Sequence, residues 1–140
     1  NADEKTKLIT KYAVTSAASH DSTEIENLVD ASDNRLYADS AYRSKEIEEY
    51  LEANKCESFV HEKVYRGNPL TEQQKELNNT KSKIRARVEH IFGLMTNSMN
   101  NALYMRSIGM KRTKESIGVL NLTYNLFRLE QLIRLQKVKI

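Results

Sequence analysis

The spacing of apolar residues changes near the middle of this chain, and the change limits the folds open to it. Up to about His61 the sequence breaks into short pieces. Lys7–Ser16 (KLITKYAVTS) is rich in β-branched and aromatic residues and reads as a strand. Ser22–Ala31 opens on Ser-Thr with Glu24 close behind, the start of a capped short helix. Arg35–Asp39 (RLYAD) is a short strand ending on an acid. Ser44–Asn54 is helical, with Ile47, Tyr50 and Leu51 on one side, and Glu57–His61 (ESFVH) is a third strand. Strands alternating with helices predict a sheet covered by helices.

After a loop at Arg66-Gly67-Asn68-Pro69 the pattern becomes helical over long stretches. Between Thr71 and about Asn97, Ile84, Val88, Ile91, Phe92 and Met95 fall in one stripe. Asn100–Gly109 connects, with an extended piece at Leu103–Arg106. Lys111–Lys137 is a second long helix. Leu120, Tyr124 and Phe127 line one side of it, and Val119, Leu122, Leu126, Leu129 and Ile133 line another, which predicts burial on both sides near its centre. The expected class is therefore α/β, a single domain of 140 residues with two long helices in its C-terminal half.

Charge follows the same division. Asn1–Glu62 holds 14 acidic and 7 basic residues, whereas Lys63–Ile140 holds 5 acidic and 15 basic, so a net charge of +3 hides a strongly basic second half. Such a half suits a polyanion, although lysine-rich solvated helix faces produce the same count. One cysteine, Cys56, allows no internal disulfide and no cysteine-based zinc site, and fits a reducing compartment. The longest uncharged stretch with apolar content, around Ser116–Arg128, is too short and polar for a membrane span, and Asn1–Thr10 does not resemble a signal peptide.

Few residues carry chemistry. Asp39 ends a strand before the small-residue turn Ser40-Ala41-Tyr42, a position from which a carboxylate can reach a crevice and hold a metal; the simpler alternative is a turn-capping aspartate. On a helix Ser82, Arg85, Glu89 and Thr96 lie within about 60° of one another beside the apolar stripe. Arg85, one turn before Glu89, is placed to orient that carboxylate or to meet a phosphate, the alternative being a surface ion pair of little energetic weight. His20, His61 and His90 each adjoin an acid but share no helical repeat and form no HExxH arrangement. Neither a GxGxxG nor a P-loop is present.

Four segments together resemble the transposases of bacterial insertion sequences, in the DDE branch whose signature is Tyr-x2-Arg-x3-Glu-x6-Lys. They are KYAVTSAASHDS (Lys11–Ser22), YADSAYRS (Tyr37–Ser44), KSKIRARVEHIFGLM (Lys81–Met95) and NLTYNLFRLEQL (Asn121–Leu132). The resemblance makes Asp39 the second and Glu89 the third catalytic, metal-binding acid, and Arg85 the signature arginine. Ser82 stands where the signature has Tyr and Thr96 where it has Lys, which weakens the auxiliary DNA contacts. It implies an RNase H-like mixed sheet with flanking helices, of which this chain is the C-terminal part. The strand at Lys7–Ser16 would be the third of that sheet, which places the first catalytic Asp upstream of Asn1.

The implied reaction is DNA strand cleavage and strand transfer in transposition. Two Mg2+ or Mn2+ ions about 3.5–4 Å apart activate the attacking oxygen and stabilise the leaving one. Asp39 and Glu89 would then lie on the order of 4–8 Å apart, and the chain alone would have reduced or no activity. The expected partners are DNA (transposon ends and target) and a second copy in a homo-oligomer, in the bacterial cytoplasm near the nucleoid and with no membrane. Lys81, Lys83, Arg85 and Arg87 are the expected phosphate contacts. The rival readings are a non-catalytic DNA-binding or regulatory remnant and a helical interaction module.

Overall fold

The computed structural model describes every residue except 17, 63–70, 100–103, 105–107 and 136–140. The loop expected at Arg66-Gly67-Asn68-Pro69 and, apart from Tyr104, the extended piece at Leu103–Arg106 lie outside the described residues. The chain forms two compact units, Ala17–Ala86 and Asn1–Ser16 with Arg87–Ile140.

In the first unit a 3-10 turn, Asp21–Glu24, leads into α1 (Ile25–Leu28). The helix is shorter than the expected Ser22–Ala31. The Asp33 carboxylate accepts the Asp30 N–H at 2.8 Å, offering the backbone a partner outside the helix, and Val29 is already extended. Strand β1 (Arg35–Leu36), a 3-10 turn at Ser40–Tyr42, helix α2 (Lys45–Ala53) and strand β2 (Glu57–Ser58) follow. The strands pair in parallel, Arg35 opposite Glu57 and Leu36 opposite Ser58, a topology that requires a crossover element, here α2. The hydrogen bonding runs on past them: the Glu57, Phe59 and His61 amides donate to the Asn34, Leu36 and Ala38 carbonyls at 2.9, 2.8 and 3.1 Å. The α/β expectation is met, but among the described residues the sheet has two strands and is parallel, not mixed.

Ser44 starts α2 by accepting the Ile47 N–H on its hydroxyl at 3.2 Å. Ile47 and Leu51, four residues apart, face inward and pack with Ile25, Val29 and Cys56, while Leu36, Tyr42 and Tyr50 close the edge. Leu51 is completely buried, which contributes about 1.5–3 kcal/mol relative to an exposed side chain. Thr71 caps the next helix, α3 (Glu72–Asn97), reciprocally: its hydroxyl accepts the Gln74 N–H at 3.3 Å and its own N–H donates to the Gln74 side chain at 3.0 Å.

In the second unit the expected strand at Lys7–Ser16 is absent. Only an isolated antiparallel bridge forms there, between Ala2 and Ile9. The extended backbone is satisfied by side chains of α4 (Met110–Arg134) instead. Asn125 accepts from the Ile9 N–H at 2.9 Å and donates to the Ile9 carbonyl at 2.8 Å, as a neighbouring strand would. The Tyr124 hydroxyl and the Arg128 guanidinium donate to the Lys7 and Thr6 carbonyls at 2.9 and 2.8 Å. Ile91 and Met95 from α3 and Leu120 and Tyr124 from α4 form the core, with Ala2 and Ile9 against it. Among the described residues the buried side chains of α4 are Leu120, Tyr124 and Leu132. Val119, Leu122 and Leu126 are 60–65% exposed, so the expected burial on two sides does not occur.

Candidate functional site

Within the first unit the C-terminal ends of the two strand segments carry a polar cluster, at the end of a parallel sheet where ligands usually bind. Asp39 follows β1 and starts the 3-10 turn, its Oδ1 accepting the Ala41 N–H at 2.9 Å. Its Oδ2 lies 3.6 Å from Arg85 Nη1 in α3, both side chains partly exposed. Just beyond the turn, Arg43 Nη1 pairs with Glu62 Oε1 at 3.0 Å and donates to the Val60 carbonyl at 3.1 Å.

That carbonyl is available for a structural reason. The amides of Glu57, Phe59 and His61 face β1, so the intervening Val60 presents its carbonyl on the other side of the strand. Lys81 Nζ donates to the same oxygen at 2.8 Å. Asn78 brackets Glu62, accepting its N–H at 2.9 Å and donating to its carbonyl at 3.3 Å. Ser82 Oγ lies 3.2 Å from His61 Nε2. Asn78, Lys81, Ser82 and Arg85 are spaced i, i+3, i+4 and i+7, which is one face of α3. Burial pushes the His61 imidazole below its ordinary 6.5, and the Arg85 and Lys81 charges push it further, so it is neutral at neutral pH.

Three of the expected residues, Asp39, Lys81 and Arg85, therefore meet here, joined by Arg43, His61, Glu62, Asn78 and Ser82. Of the expected phosphate contacts in this unit, Lys81 and Arg85 share a face of α3 and Lys83 does not. Lys83 is exposed and about 160° round the helix from Lys81. In the other unit Arg87 Nη1 lies 3.4 Å from Glu4 Oε1, about 160° round the helix from the exposed Glu89. Glu89 stands on the side of α3 away from the buried Ile91 and Met95. A polar i, i+3, i+4, i+7 row was readable in the sequence; the convergence of Arg43 and Lys81 on a backbone carbonyl had no signal there.

Asp39 offers what Mg2+ or Mn2+ needs from one ligand: a hard carboxylate oxygen on a fixed backbone, still reached by solvent. Among the described residues no three His, Cys, Asp or Glu side chains form a group able to hold an ion, and no helix is long and apolar enough to cross a membrane. No curated protein and no solved structure matches the chain. The family profile described as "Transposase DDE domain" does match, over residues 2–126. With that match covering most of its 140 residues, the chain belongs to the transposase DDE domain family.

Proposed function

We propose that the chain serves DNA transposition by metal-dependent strand cleavage and strand transfer, with Asp39 and Glu89 as ligands of the metal and an RNase H-like architecture around them. Family membership supports DNA as substrate and divalent metal as cofactor. The observation that carries the assignment of Asp39 is its position. It leaves the end of a parallel strand and faces Arg85, the residue that precedes Glu89 by one helical turn in α3. A divalent ion bound there supplies charge stabilisation to the attacking and leaving oxygens. The chain's own contribution is to hold the carboxylates, to neutralise Asp39 through Arg85 and to draw the phosphate backbone toward them through its cations.

Glu89→Gln separates the two roles. Binding of a labelled 20-bp duplex should stay equal or tighten slightly, because a negative charge near the phosphates is removed, while Mn2+ binding followed by electron paramagnetic resonance should fall at least tenfold. Loss of duplex binding together with unchanged Mn2+ affinity would remove Glu89 from the site and reassign it to structure.

A further inference from the structure

We propose that Lys81 and Arg43, with the Ser82 hydroxyl beside them, form a subsite for one backbone phosphate of a DNA strand, using the Val60 carbonyl as the post that holds both cations in place. The proposal rests on the reading of the chain as a DNA-processing protein and adds the residues by which it holds the backbone. Both cationic nitrogens lie within 3.1 Å of the Val60 oxygen, so they are at most about twice that distance apart. Two like charges brought so close repel, and a neutral carbonyl offsets little of that. Glu62 faces Arg43 and Asp39 faces Arg85, whereas Lys81 rests on the carbonyl.

The directions of the groups fit the same ligand. Lys81 keeps two N–H donors beyond the one given to Val60, the Arg43 guanidinium keeps several, and the Ser82 hydroxyl donates when His61 does not take its proton. A phosphodiester offers two non-bridging oxygens and no donor, which matches a donor-rich cradle. Burial lowers the His61 proton affinity most, and the Arg85 and Lys81 charges lower it further. Lys81 also lies on the α3 face that carries Arg85, so a phosphate held here sits beside the Asp39 carboxylate and not on a remote surface.

The experiment measures binding of a labelled 20-bp duplex across a salt series in EDTA, for the full chain and for Lys81→Met, Lys81→Arg and Lys45→Met. Lys45 is an exposed lysine paired with Glu49 and serves as a control for loss of any one surface charge. Lys81→Met should reduce the slope of log K against log salt by about 0.9, the value for one phosphate contact. Lys81→Arg should restore it and Lys45→Met should leave it alone. A Lys81→Met chain that melts earlier but keeps the parental slope would overturn the proposal, leaving Lys81 as a cap for Val60 and the DNA reading intact. Equal slope changes in Lys81→Met and Lys45→Met would overturn it as well. No salt-dependent binding by the parent chain would instead bring down the DNA reading itself.

Discussion

Asp39 and His61 show how one position serves both packing and chemistry. Asp39 accepts a backbone N–H with one oxygen and faces a guanidinium with the other, so its carboxylate is oriented before any ligand arrives. The sequence showed this residue as a strand-end acid, and the turn-capping alternative is also true of it: the same carboxylate caps the Ser40–Tyr42 turn. In the sequence His61 shares no repeat with another histidine, yet it packs beside Ser82, twenty-one residues away. Its lowered proton affinity has a thermodynamic consequence. The unfolded chain takes up the proton first as pH falls below about 6.5, so the stability tied to neutral His61 is present above that pH and is lost as pH falls toward the folded value. Urea unfolding between pH 7.5 and 5 should therefore show a steeper loss of stability for the parent than for His61→Asn. Identical pH profiles would mean that the imidazole titrates alike in both states.

At the scale of elements, helices were more legible than strands. The expected Thr71–Asn97 and Lys111–Lys137 coincide closely with α3 and α4 because their periodic stripes persist for many turns. Lys7–Ser16 failed as a strand because β-propensity reports a fit to a half-buried surface, and here an amide side chain on α4 does the pairing. Asn125→Ala should accordingly cost about 1–3 kcal/mol, since two partly buried backbone groups lose their partner. A loss below about 0.5 kcal/mol in chemical denaturation would show that the segment is held by other contacts. Apolar lines on α4 also misled, because periodicity records that a face is apolar and says nothing of what covers it. Leu120 is 8% exposed and Leu122 is 60% exposed. Leu120→Ala should destabilise by about 2–5 kcal/mol, whereas Leu122→Lys should stay within about 0.5 kcal/mol. Comparable losses from the two would contradict this packing.

At the scale of the whole molecule, the division of charge in the sequence, acidic before Lys63 and basic after it, agrees with a DNA-processing role but does not identify contacts. The proposed phosphate contact rests on the fold: Lys81 is turned toward the strand ends and its near neighbour Lys83 is turned away. Family membership points to transposition, and the central proposal about this chain is that Asp39 and Glu89 serve one metal. Shared ligation has a specific signature, because removing either of two ligands of one ion removes most of what the other contributes. Mn2+ affinity measured by electron paramagnetic resonance for the parent, Asp39→Asn, Glu89→Gln and the double variant tests this directly. Each single substitution should weaken binding by tenfold or more, and the double variant should be no weaker than the worse of the two. Single effects that multiply independently in the double variant, or parental affinity in either single one, would contradict the assignment.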